Sequence, residues 1–344
     1  MAKNSSSCDV QMEREMNPAV DAGGGWKEAV ISVSDLTLWV DVAAADFGWT
    51  LGHRGPVHAT QLAAWGLPSG VVAEQALFHC GDEAQGWVRF VQLAGAGHQL
   101  RIRAGAMPWD TGGIFSLMVR TRNMSALVDR VLARGWSLVT DPLTFDYNGQ
   151  VLTNAILRGP DGVAFGAYER VKPPLAGWPH MKLISQPFNA MQMVRSRDAT
   201  RDFHRDVLGF VAFVDDDTRK SKPEDSNFGF PINLTTAYTT KAAIMHPRGK
   251  PGAKERDNGR VELIEWDGFD GRDLAARAAW PNLGIMMLRW AVADAAAMAS
   301  RLAGAGVIAA RPCATAVVEP YGITEAFSLR TPDGVLYEFF TRKD

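Results

Sequence analysis

Cysteine is scarce in this chain of 344 residues: Cys8, Cys80 and Cys313 lie far apart and form no Cys-x-x-Cys pair. That argues against a disulfide framework and against a thiolate zinc site, and makes a reduced cytoplasm the expected setting. A surplus of one charge is also lacking, since 36 Lys and Arg stand against 38 Asp and Glu. The basic footprint of a nucleic-acid-binding protein is therefore absent. No apolar run reaches the length that a bilayer demands. The polar start, Lys3-Asn4 followed by three serines, has no apolar signal core. Nucleic acid and membrane are thus set aside as partners.

What is present suits packed globular units. Hydrophobic residues make up 47% of the chain, and its length fits two domains rather than one. Residues 1–25 show no periodicity and end in three glycines, which predicts a flexible tail. A strand is expected over 28–33. Ser34-Asp35 then caps a helix from 36 to about 47, stopped near Gly52. Loop sequence runs to Gly70, and strands follow over 71–80 and 86–93. A second unit opens with a strand over 114–119. Its helix carries Met124, Leu127, Val128, Val131 and Leu132 at helical spacing and ends at Gly135. Strands over 151–157 and 163–168 flank the turn Gly159-Pro160-Asp161-Gly162.

Residues 171–186, rich in Pro and Gly, read as a linker. A third unit follows, with a strand over 190–194, a helix ending at Gly209, and strands over 210–214 and 261–266. Its charged stretches, 215–225 and 246–258, read as solvated excursions because acids and bases are interspersed. The fourth unit repeats the second: a strand over 285–292, a helix over 294–302, Gly306, the turn Thr331-Pro332-Asp333-Gly334 and a strand over 335–340. Gly135 to Gly162 spans 27 positions and Gly306 to Gly334 spans 28. Two Pro-Asp-Gly turns in register with helix ends are what an internal repeat predicts.

The stretch Phe203-His204-Arg205-Asp206-Val207-Leu208-Gly209-Phe210, between two strands, resembles a motif of the vicinal oxygen chelate superfamily, which includes glyoxalase, bleomycin-resistance and extradiol-dioxygenase proteins. Its helices commonly end in Phe-Tyr-x-Asp-x-Leu-Gly-Phe, with His204 here in place of the tyrosine. The resemblance implies an α+β fold: four βαβββ modules in two tandem domains, 26–170 and 187–344, whose curved mixed sheets enclose cavities.

It also implies where a site should lie: at the start of each first strand and the middle of each last strand, four residues after the turn glycine. On the last strands those positions hold Glu338, Glu262, Gly166 and Arg89. On the first strands they fall near Glu28, Ile114, Asn189 and Met287. If adjacent modules pair, Asn189, Glu262, Met287 and Glu338 share a cavity; if the outer modules pair, Glu28, Arg89, Met287 and Glu338 do. Both pairings are open.

None of these eight places holds a histidine, which counts against the two-His-one-carboxylate iron site of an extradiol dioxygenase. Glu28 and Glu338 remain as oxygen ligands for a divalent cation, or as carboxylates sharing a proton. His204 reads as structural. The expected function is a lyase or isomerase that moves a proton next to a carbonyl in a small, partly hydrophobic, oxygenated substrate. Glu338, Glu262, Glu28, Asn189 and Arg89 are its candidate catalytic set. The alternative is a metal-free protein that sequesters an apolar small molecule, a role suited to a chain with eleven tryptophans and thirteen methionines. Monomer and homodimer both fit.

Overall fold

The computed structural model describes residues 24–147, 149–247 and 258–343. Most of the tail and most of the second charged stretch lie outside them. Module one comprises β1 (Glu28–Ser32), β2 (Thr50–Pro56), β3 (Val72–His79) and β4 (Trp87–Ala94). Module two comprises β5 (Ser116–Thr121), β6 (Ser137–Leu138), β7 (Leu143–Tyr147), β8 (Gln150–Arg158) and β9 (Ala164–Lys172). Module three comprises β10 (Asn189–Met193), β11 (Val211–Thr218), β12 (Thr239–His246) and β13 (Arg260–Asp267). Module four comprises β14 (Gly284–Ala291), β15 (Arg311–Val318), β16 (Gly322–Arg330) and β17 (Leu336–Arg342).

A helix follows the first strand of each module: α1 (Leu36–Asp41), α3 (Met124–Ala133), α4 (Arg197–Asp202) and α5 (Ala295–Gly304). A short α2 (Ala59–Ala64) lies between β2 and β3. The fourfold repeat shows in the caps. Asp35, Asn123, Ser196 and Asp294 each accept from the backbone N–H three residues on, satisfying a donor that the first helical turn leaves open. At the other end α1 and α4 widen into π-turns, Val42–Phe47 and Phe203–Val207. Gly48 and Gly209 then close them at φ 77 and 73. The stop expected near Gly52 is thus Gly48. Phe47-Gly48-Trp49 plays the part of Leu208-Gly209-Phe210, with Trp49 N–H reaching back to Ala43 O.

Two curved mixed sheets result. One runs β15-β16-β17-β14-β1-β4-β3-β2 and the other β11-β12-β13-β10-β5-β9-β8-β6, with β7 on β8. The outer modules therefore share a sheet, joined where β1 lies antiparallel to β14. The inner modules share the other, joined where β10 lies antiparallel to β5. The contiguous spans 26–170 and 187–344 do not each close a sheet. Within each span the two modules meet instead in the helix-side core. Trp39 and Phe47 of module one pack on Trp136 of module two at 5.6 and 5.8 Å, and Phe210 of module three packs on Trp290 of module four at 5.0 Å. Each module thus touches one neighbour through its sheet and another through its helix.

The linker is no bare spacer. Val171 and Lys172 complete β9, and Trp178 and Met181 are buried against Phe188 and the methionines of the inner sheet's other face. The first charged stretch also begins as strand: Asp215 and Asp217 lie on β11, where both pair with Arg197. Among the described residues no helix is long and apolar enough to cross a membrane.

Candidate functional site

On the outer sheet, strand alternation turns Glu28, Arg89, Arg289 and Glu338 toward one another, away from the helices. Glu28 faces Arg289 across the β1–β14 ladder, and Arg289 faces Glu338 across β14–β17. Arg89 grips Glu28 with two parallel bonds, Nε to Oε1 at 2.8 Å and Nη2 to Oε2 at 3.0 Å. Arg289 donates from Nη1 to Glu28 at 2.6 Å and from Nε to Glu338 at 2.5 Å. Tyr321 donates to Glu28 at 2.8 Å and Trp65 to Glu338 at 2.9 Å, while Gln75 accepts from Arg89 at 2.6 Å. Glu28, Arg89 and Arg289 have no solvent exposure. Burial pushes the Glu28 carboxyl up, but the guanidiniums of Arg89 and Arg289 outweigh it and hold the group down at about 2.

The outer-module pairing thus brings Glu28, Arg89 and Glu338 together as the family positions imply, with Arg289 in the place expected for Met287. Met287 lies two residues away on the same strand, packed with Val30 and Leu336. From Arg289 to Met287 the β1–β14 register is unbroken, so both side chains lie on the same face of β14, and it is the charged one, directly opposite Glu28, that reaches the carboxylate. This donor set does not fit the divalent cation considered for Glu28 and Glu338. The four acceptor positions of Glu28 are taken by Arg89, Arg289 and Tyr321, and a cation between the two carboxylates would displace a guanidinium. Among the described residues no three His, Cys, Asp or Glu are grouped to hold a metal.

The inner sheet assembles a different site. Asn189 on β10 and Glu262 on β13 come together, apart from the outer glutamates. Asn189 Nδ2 donates to Glu262 Oε2 at 2.8 Å. No other protein bond reaches this carboxylate among the described residues, so Oε1 keeps its lone pairs. Burial pushes the Glu262 carboxyl up to about 7, against the hydrogen bond from Asn189 and the charges of Arg260 and Arg120. Tyr168 and Tyr147 stand within its electrostatic reach, and burial followed by the Glu262 charge raises both phenols above the ordinary value. Arg120 lies 4.5 Å over the Phe188 ring and 5.8 Å over Tyr168. Asn189 Oδ1 and Ser116 Oγ, on neighbouring strands, are buried with no partner among the described residues.

Around them, Met118, Met191, Met193, Phe188 and Trp178 form an apolar wall. Gly166, opposite Met118 across β5–β9, adds no functional group. Ile114 precedes β5 and packs in the helix-side core, so module two contributes Ser116 and Met118 there instead.

Arg289, Tyr321, Arg120 and Tyr168 were not among the expected site residues. The signal for Arg289 was available, as the one charge in the apolar run Gly284–Ala291. Nothing local marks Tyr321, which lies 293 positions from Glu28. His204 is structural as expected. One ring nitrogen meets Thr200 O at 2.7 Å, the other meets Tyr337 Oη at 2.9 Å, and burial holds its pKa down at about 4.

No protein-family model matches the chain, and no curated protein matches it in sequence. Solved structures do match in fold. Glyoxalase I from Zea mays superposes with a TM-score of 0.58 at 16% identity over 92% of each chain. A mutant form of glyoxalase I from Zea mays gives 0.57 at 14% identity, over 92% of this chain and 94% of that one. A putative dioxygenase from Bacillus subtilis subsp. subtilis str. 168 gives 0.52 at 13% identity, over 93% of this chain and 86% of that one. The chain has the vicinal oxygen chelate fold.

Proposed function

We propose that the chain is an enzyme that moves a proton next to a carbonyl in a small, partly hydrophobic substrate, with its working site on the inner sheet and Glu262 as the acid/base group. One observation carries this reading: Glu262 is a carboxylate in an apolar wall whose proton affinity lies near neutrality and whose Oε1 has no protein partner among the described residues. A general base works best when its pKa is close to the working pH. Glu262 Oε1 takes the proton from the carbon beside the carbonyl, and the C–H electron pair moves into an enolate. Arg120 and Arg260 supply positive charge for the developing oxyanion, and Tyr168, kept protonated by burial, is the hydroxyl donor of the group. Return of the proton to the neighbouring carbon gives isomerisation; loss of a leaving group from the adjacent carbon gives a lyase. Glu28, Arg89 and Glu338 act in this reading as the buried ion-paired joint of the other sheet.

Proton–deuterium exchange followed by NMR in heavy water tests it, on aryl-substituted hydroxy ketones and keto acids. The expected result is catalysed exchange at the carbon beside the carbonyl, with an acid limb near pH 7 that Glu262→Gln abolishes. Exchange that persists in Glu262→Gln would remove the assignment. Saturable quenching of tryptophan fluorescence without exchange would favour the second reading, a metal-free binding protein. Supporting that reading are the unpartnered Asn189 Oδ1 and Ser116 Oγ in an apolar wall, which suit ligand capture as well as catalysis.

A further inference from the structure

A separate groove of about 390 Å³ opens on the outer sheet, lined by Trp65, Trp280, Arg311, Ser328, Arg330 and Leu336 among others. Trp65 and Trp280 are stacked, with centroids 4.7 Å apart and planes at 15°, and form a flat aromatic wall. Trp65 is fixed from behind by its bond to Glu338. Among the described residues no acidic side chain lines the groove, yet two guanidiniums do.

Neither guanidinium pairs with an acid among the described residues. Arg330 Nη1 donates to Ala278 O at 2.7 Å and to Gly334 O at 2.8 Å. The Arg311 guanidinium lies over Gly66, where a Cβ would come within 1.9 Å of its central carbon. Gly66 is in the left-handed region at φ 77, so the position both needs glycine for its backbone and leaves the space the guanidinium fills. Arg311 makes no ion pair among the described residues. The indole N–H of Trp280 is buried and likewise without a partner there. Burial and the nearby Arg311 charge both lower the Arg330 pKa. Two like charges at one groove, with a spare indole donor and no counter-charge in the lining among the described residues, form a donor-rich surface suited to an anion.

We propose that this groove binds a small planar aromatic carboxylate, its ring against the Trp65–Trp280 wall and its carboxylate paired with Arg311 and Arg330. Arg is suited to this task because its planar fork matches a carboxylate with two bonds. The site is on the other sheet from Glu262 and is independent of the proposed chemistry there.

Titration of tryptophan fluorescence in the full chain with 2-naphthoate, and with uncharged 2-naphthamide as control, tests it. We expect saturable quenching by naphthoate, at least tenfold weaker binding of the amide, and at least tenfold weaker naphthoate binding in Arg311→Ala. Arg311 has no ion pair to lose among the described residues, so its variant should keep the wild-type thermal midpoint. Gly66→Ala, which displaces that guanidinium, should weaken binding in the same direction. Equal affinity for acid and amide, binding unchanged in Arg311→Ala, or no saturable quenching would each overturn the proposal. Loss of naphthoate binding in Glu262→Gln would also overturn it, by placing the ligand on the inner sheet, without touching the case for Glu262 as an acid/base group.

Discussion

At Glu28 two guanidiniums and a phenol converge on one carboxylate; at Glu262 a single amide does. The guanidiniums hold the fully buried Glu28 down at about 2, while at the half-buried Glu262 desolvation outweighs its one amide hydrogen bond and pushes the carboxyl up to about 7. The consequences for stability have opposite signs. The folded Glu28 has a pKa below its ordinary 4.5, so its contribution is present above pH 4.5 and lost as pH falls toward 2. The folded Glu262 has a pKa above 4.5, so its contribution is present below that value and lost as pH rises through 7. Glu262→Gln is therefore expected to gain about 1–3 kcal/mol over the parent at pH 8 and little at pH 4.5. Glu28→Gln, which leaves two buried guanidiniums short of their partner, should lose about 3–5 kcal/mol at neutral pH. Urea denaturation at pH 4.5 and 8 measures both. A Glu262→Gln variant less stable than the parent at pH 8 would mean that this carboxylate supports the fold rather than chemistry. The sequence made both glutamates visible as charges on apolar strands, but not their opposite states, because the guanidiniums that hold Glu28 down, Arg89 and Arg289, lie 61 and 261 positions away, and the burial that raises Glu262 exists only once the inner sheet has formed.

The repeated Pro-Asp-Gly turns show what an element can carry beyond its own conformation. Asp161, in the turn before β9, accepts from Ser34 N–H at 3.0 Å and Ser34 Oγ at 2.7 Å, at the entrance to α1. Asp333, in the turn before β17, accepts from Arg195 N–H at 3.0 Å and Thr200 Oγ1 at 2.5 Å, at the entrance to α4. Each turn thus docks on the helix start of the preceding module, and both carboxylates are almost wholly buried. The register of the two turns was legible from the glycine spacing. Their partners were not, because a turn motif describes a local bend and says nothing of what its middle side chain meets. Asp161→Ala and Asp333→Ala are each expected to lose about 1–3 kcal/mol, since each strands buried donors. The double variant should be close to additive, because the two contacts share no residue. Chemical denaturation of the three variants checks this, and a cost near zero for either one would show that its turn bends the chain without fastening the modules.

For the whole molecule, the modules were readable one by one, through their caps, glycine stops and turns, but their pairing was not. Both pairings bury the same kinds of first strand, and the choice is made by long-range contacts such as the antiparallel β1–β14 ladder. The resulting arrangement is a closed ring of contacts: sheets join modules one to four and two to three, and helix-side cores join one to two and three to four. Neither half can then complete a sheet alone. Residues 1–175 would expose the β1 and β5 edges where β14 and β10 belong, together with the apolar residues those strands cover. The two halves, 1–175 and 176–344, are therefore expected to associate tightly when co-expressed and to aggregate or remain unfolded when made separately. Co-purification through a tag on one half, with circular dichroism of each alone, measures this. A first half that folds by itself into a stable monomer would show that each half can close its own sheets and that the exchange between halves is not needed for folding.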